Sequence, residues 1–153
     1  MEWVYAYIEV DRDAALPQLV FGSVNPATPV PIYGTLTSYV NQVTVNSGPS
    51  AATPTVARAL QGGVYHVSVD VELSLTPSPS ASFVLETLVD GATVESTLPM
   101  VTLGSTPLHL RNDFMHLLIP GQEVTFRITK VSGPALVATV ERLSVHVQSW
   151  IES

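Results

Sequence analysis

The chain has 153 residues, of which 46% are hydrophobic and only 12% are charged, and its formal net charge is -7. This length suits one domain with a substantial core. The absence of cysteine excludes disulfides and thiolate metal sites, and 6 basic against 13 acidic residues argue against nucleic acid as a partner. No stretch approaches the roughly 18 apolar residues needed to cross a bilayer, so no membrane partner is expected.

The N-terminal segment combines one strand pattern with a proline-rich stretch. Trp3 to Val10 alternates like a strand, but residues 14–33 contain four prolines, which cannot sustain a helix or a central strand. We therefore expect residues 1–34 to form an extended arm, dispensable for folding, ahead of a jelly-roll domain at 35–153. Its apolar side chains would contact a partner, although the aromatic row can also belong to the core or form a carbohydrate platform. The expected contacts are Trp3, Tyr5, Tyr7 and Phe21.

The middle of the chain contains the clearest strand signal. Leu36 to Val45 and Thr55 to Leu60 are predicted strands, and the following stretch, GGVYHVSVDVELSL, alternates from Gly62 to Leu75. Its β-branched residues disfavour helix and pack well on a pleated surface. Tyr65 and the apolar residues of the same parity are expected in the core.

The second half continues the strand pattern. Asp90-Gly91 is a two-residue hairpin signal between apolar strands, and Pro120-Gly121 is a predicted turn before another alternating strand. In the last segment the apolar parity changes, so a bulge or tight connection is expected near Glu141-Arg142, with two strands there. No window has helical periodicity. The sequence predicts an all-β, two-sheet antiparallel sandwich of the jelly-roll type.

Four pieces of the sequence resemble the tumour necrosis factor and complement globular-head superfamily. They are GGVYHVSVDVELSL, FVLETLVDGATV, LLIPGQEVTFRI and the closing LSVHV, in the order that the family uses. The resemblance covers roughly Leu36 to Trp150 and implies a jelly roll assembled as a homotrimer about a threefold axis. It also implies that one face of the glycine-aromatic strand and of the final strand meets the neighbouring subunits. The implied interface residues are Val64, His66, Ser68, Ser144, His146 and Gln148.

Residues for catalysis are sparse. The four histidines lack metal-ligand spacing, and neither Gly-Ser pair has the surroundings of a nucleophile elbow. Asp70 and Glu72 share a strand face, but without a ligand-dense loop they are better explained as solvated groups. We expect no enzyme activity, cofactor or metal.

The resemblance extends to bacteriophage virion proteins similar to this superfamily. One hypothesis is a homotrimeric decoration protein that binds the major capsid protein on the outer capsid surface and stabilises it. In this hypothesis the arm residues Trp3, Tyr5, Tyr7 and Phe21 contact the capsid. The alternative is the receptor- or carbohydrate-binding head of a phage fibre or tail protein. The chain is short and has no heptads before the jelly roll, which favours the decoration protein.

Overall fold

The computed structural model describes residues 2–11, 13–32, 36–46, 55–76, 80–103 and 106–151. These ranges contain thirteen strands: β1 (Glu2–Val10), β2 (Gln18–Phe21), β3 (Val30–Pro31), β4 (Leu36–Asn41), β5 (Val43–Asn46), β6 (Val56–Ala59), β7 (Gly63–Thr76), β8 (Ser82–Val89), β9 (Ala92–Ser96), β10 (Met100–Val101), β11 (Leu108–Leu118), β12 (Glu123–Ser132) and β13 (Leu136–Ile151).

The strands form two antiparallel sheets. The first has the order β11-β7-β13-β1-β4, with β2 also paired to β13. The second has the order β10-β8-β12-β6-β5, with β3 paired to β12 and β9 to β8. The all-β, two-sheet prediction is confirmed, and the described residues contain no helix.

The core lies between the sheets because each long strand directs alternate apolar residues inward. Tyr65, Val67 and Val69 on β7 are completely buried, as the sequence predicts, and Phe126 and Ile128 of β12 are buried too. The Tyr65 hydroxyl donates to the Gln61 carbonyl at 2.7 Å, and burial raises the pKa of this phenol. The alternation of β7 therefore fixes which of its residues remain outside.

The expected arm at residues 1–34 differs from the structure. β1 lies inside the first sheet, between β13 and β4, and β2 and β3 pair with β13 and β12. Val4, Ala6 and Ile8 are completely buried. The prolines interrupt regular pairing between short strands without excluding the segment from the sandwich. The described residues 2–11 and 13–32 therefore belong to the jelly roll, and removing them would open its core.

Two local predictions differ in detail. The strand expected over Leu36–Val45 is divided at Gln42, whose φ of 59° turns the chain from β4 in one sheet to β5 in the other. The expected bulge is confirmed by a register shift between Val140 and Arg142, but β13 continues through it as one strand. The Asp90-Gly91 hairpin is confirmed, with positive φ at both residues.

Candidate subunit interface

The outward side of the first sheet, which we call the outer face, presents side chains from β11, β7, β13, β1 and β4. Strand register places them in rows across the sheet. Met115, His66, Gln148 and Tyr5 make one such row. In the next row Ser68 of β7 lies opposite His146 of β13. The outer face is thus a continuous surface built from strands distant in sequence.

All six residues that the resemblance implies for the trimer interface lie on the outer face. Val64 is exposed, whereas the other five are half-buried by their neighbours on the same sheet. Their parity is opposite to that of the core residues Val145 and Val147. The structure therefore brings the six together on the adjacent strands β7 and β13, and their contact with other subunits stays a prediction.

One end of the outer face is aromatic and apolar. The rings of Trp3 and Trp150 lie 5.4 Å apart between centroids, and both side chains border an open groove of about 450 Å³. Val64 and Met115 also line this groove. Trp150 is 55% exposed in the single chain. Such a patch is unusual on a surface that water alone contacts.

The aromatic row continues along β1. The Tyr5 and Tyr7 rings lie 5.2 Å apart, and the Tyr7 ring lies 4.4 Å from the His146 imidazole. The Tyr7 hydroxyl donates to Gln148 Oε1 at 3.3 Å. Two ring contacts and one hydrogen bond therefore hold β1 and β13 side chains in fixed positions on the outer face.

Along the edge of the outer face that β11 forms, polar and charged side chains pair between β7 and β11. His66 contacts the Asp113 carboxylate, and Arg111 Nη2 donates to the same carboxylate at 2.9 Å. The hydrogen bond from His66, reinforced by Arg111, holds the pKa of Asp113 below its usual value although partial desolvation opposes this. His109 contacts the Asp70 carboxylate. The carboxylates of Asp70 and Asp113 thus find their partners within one chain.

The four residues expected to contact a partner through an arm have two different locations. Trp3, Tyr5 and Tyr7 lie on the outer face, whereas Phe21 is 2% exposed and packs edge-on against Phe83 at 5.5 Å. Phe21 therefore belongs to the core, which corrects its expected role. Phe21 is buried because it lies two residues after buried Leu19 on β2 and therefore points to the same side of the strand.

Sequence reasoning missed several residues that extend the outer face. Met115 and Leu117 of β11 and Trp150 of β13 are exposed there beside Val64. The sequence pattern does indicate an outward position for Trp150, because it shares the parity of Gln148 and His146. The alternation of apolar and polar residues is weaker in β11, because the polar residue Asn112 occupies a buried position. Its Nδ2 donates to the Leu85 carbonyl and to Thr87 Oγ1.

Neither a metal centre nor a membrane-spanning helix is found in the described part of the chain. Its His, Asp and Glu side chains form no group of three suited to a metal ion. Within the same ranges, no helix has the length and apolar character to cross a bilayer. The chemistry that the outer face offers is apolar and aromatic contact together with hydrogen bonding.

Similarity to known proteins is found at the level of the fold. The structure of Eiger TNF from S. frugiperda superposes with a TM-score of 0.63 at 10% identity, covering 100% of this chain and 96% of that one. Murine APRIL superposes with a TM-score of 0.53 at 10% identity, covering 97% and 100%. No protein-family model and no curated protein matches the sequence. The chain thus has the TNF-like jelly-roll fold.

Proposed function

We propose that this protein is a homotrimeric decoration protein that binds the outer surface of a bacteriophage capsid and stabilises it. The main support for the trimer comes from the outer face, where Trp3, Trp150 and Val64 form an apolar surface in the single chain. Burying that surface against two further copies removes it from water and is favourable. The sequence resemblance and the TNF-like fold support the same assembly.

The capsid role rests on the sequence resemblance to phage virion proteins and on the chemistry of the chain. The described residues contain no metal cluster, and the histidine–carboxylate contacts of the outer face join strands of one chain. A chain with 12% charged residues offers large uncharged surfaces for protein contact. These properties fit a structural protein, and the proposed partner is the major capsid protein.

The experiment that tests the proposal uses capsid shells purified without this protein from the phage whose genome encodes it. The purified protein is mixed with the shells, and binding is measured by co-sedimentation and cryo-electron microscopy. We expect trimeric density on the outer surface and shells that resist heating to a higher temperature. An absence of binding would contradict the proposal.

The alternative, a receptor- or carbohydrate-binding head, is favoured by one observation. Trp3 and Trp150 line the groove together with Gln148 and His66, and aromatic rings beside polar groups suit a sugar. The groove cannot bind a sugar and another subunit at once. Quenching of tryptophan fluorescence by glycans, measured on a trimeric sample, would support this alternative.

A further inference from the structure

Four segments of the chain meet at one end of the sandwich, which we call the neutral end. It consists of the described residues 22–28, 80–81, 98–103 and 132–135. None of these residues is charged or aromatic. The net charge of -7 is therefore carried elsewhere on the chain.

Direct contacts join these segments to one another. Asn25 Nδ2 donates to the Gly133 carbonyl at 3.1 Å. Gly133, with a φ of 116°, packs so closely that a Cβ added to it would lie 2.6 Å from the Cβ of Ala81. Ala81 and Thr102 exchange two hydrogen bonds, of 2.9 and 3.0 Å. The neutral end is therefore one connected surface.

Lys130, a buried cation, lies beneath this surface. It is the chain's one lysine, it is completely buried, and its Nζ donates to the carbonyls of Gly22, Gly133 and Pro134, the last two at 2.8 Å. These bonds tie segment 22–28 to segment 132–135. Because a surface that is already ordered loses little conformational entropy on binding, the neutral end is prepared for contact.

The neutral end also exposes apolar side chains. Val24 is 74% and Val101 is 57% exposed, and Val101 lies on β10, the edge strand of its sheet. Edge strands in soluble proteins are usually protected by charged side chains, and segment 98–103 has none. An uncharged apolar edge of this kind promotes association with another surface.

We propose that the neutral end is the surface that docks onto the major capsid protein, an inference that rests on the proposed function. The chemistry of the end argues against other partners. Nucleic acid requires cationic side chains, carbohydrate platforms use aromatic rings, and membrane interfaces use Trp, Tyr, Lys and Arg. The occupant is therefore an uncharged, apolar protein surface.

The position of the neutral end leaves it available in a trimer. β13 begins directly after the Gly133-Pro134 turn and runs away from it, whereas Trp3 and Trp150 lie at the opposite end of the first sheet. A threefold axis along these strands would place three neutral ends on the same side. Three weak contacts would then act together and bind much more tightly than one.

The test introduces a charge into the neutral end. The variants are Val24→Glu and Val101→Glu. Leu60→Glu is the matched control, because Leu60 is also exposed and lies before the Gly62-Gly63 turn at the opposite end. Binding to the purified capsid shells is measured by co-sedimentation over a range of protein concentrations. We expect Val24→Glu and Val101→Glu to weaken binding by about a hundredfold, since each would bury an unpaired carboxylate. The Leu60→Glu control should bind like the wild type.

The outcomes separate this inference from the proposed function. If all three variants bind the shells like the wild type, the neutral end is not the docking surface, although the proposed function stands. If the wild type does not bind, the proposed function and this occupant both fail. If the wild type instead forms pairs of trimers that Val24→Glu separates, the occupant is a second copy and the capsid assignment is overturned.

Discussion

Trp3 and Trp150 lie directly opposite each other on β1 and β13, with their ring centroids 5.4 Å apart. The first and last strands of the described fold thus join their aromatic side chains on the outer face, beside exposed Val64. In the proposed trimer, the neighbouring subunits cover this pair.

Replacement of Trp150 by Glu should dissociate the trimer and leave the monomer folded. The added carboxylate would be buried without a partner at the subunit contact, whereas water can hydrate it in the monomer. Sedimentation velocity and circular dichroism measure the two properties. Val24→Glu is the control, because it changes an exposed apolar residue that lies outside the outer face. A trimeric Trp150→Glu protein would exclude this part of the face from the interface.

Lys130→Met should lower the free energy of unfolding by about 2–4 kcal/mol, because it leaves three buried carbonyls without their shared donor. Arg58→Met is the matched control. It removes a cation from an exposed pair with Glu123 and should cost less than about 1 kcal/mol. Urea unfolding of both variants gives the comparison. Equal losses would show that the buried ammonium contributes no more than a surface pair.

Glu86 should contribute to the dependence of stability on pH. Burial raises the pKa of its carboxyl, but hydrogen bonds from Arg127, Thr93 and Thr129 outweigh burial, and the pKa lies below its usual value of about 4.5. A carboxyl whose pKa is lower in the folded state stabilises the protein above the unfolded pKa. The contribution is lost as the pH falls through the lower, folded value.

The corresponding variant is Glu86→Gln, measured by urea unfolding at a series of pH values. We expect the free energy of unfolding to fall less steeply than in the wild type between about pH 5 and pH 3. The additional substitution Arg127→Met should not reduce the slope of the free energy of unfolding against pH much further. Glu86→Gln has already removed the carboxyl on which Arg127 acts. An unchanged slope in Glu86→Gln would contradict the assignment.

Gly133→Ala should destabilise the protein more than Gly91→Ala does. Both glycines have positive φ, but an added Cβ meets Ala81 at 2.6 Å at position 133 and nothing within 4 Å at position 91. We expect a difference of about 2 kcal/mol in the free energy of unfolding. Similar losses in thermal and urea unfolding would mean that the contact with Ala81 relaxes easily.

Local alternation predicted a large part of this fold. The parity of β7 identified Tyr65, Val67 and Val69 as core, and Asp90-Gly91 identified a hairpin, because both signals depend on neighbouring residues. These signals depend little on distant parts of the chain. That His66 and His146 share one outward surface was implied by the family resemblance, since alternation within each strand does not show which strands are neighbours.

The part of the fold that the sequence did not predict depends on pairing between residues far apart in the chain. The strand pattern of Trp3 to Val10 does not show that β1 lies between β13 and β4, and the prolines after it suggested an arm. Lys130 has the parity of buried Phe126 and Ile128, which places it inside. Its carbonyl partners, however, come from loops that no local pattern brings together.

The most direct test of the central claim, assembly through the outer face, is the mass of the wild-type protein in solution. Equilibrium sedimentation at micromolar concentration at neutral pH should give three times the mass of one chain, and the Trp150→Glu variant should give the mass of one chain. A wild-type protein that remains monomeric throughout this range would contradict the homotrimer.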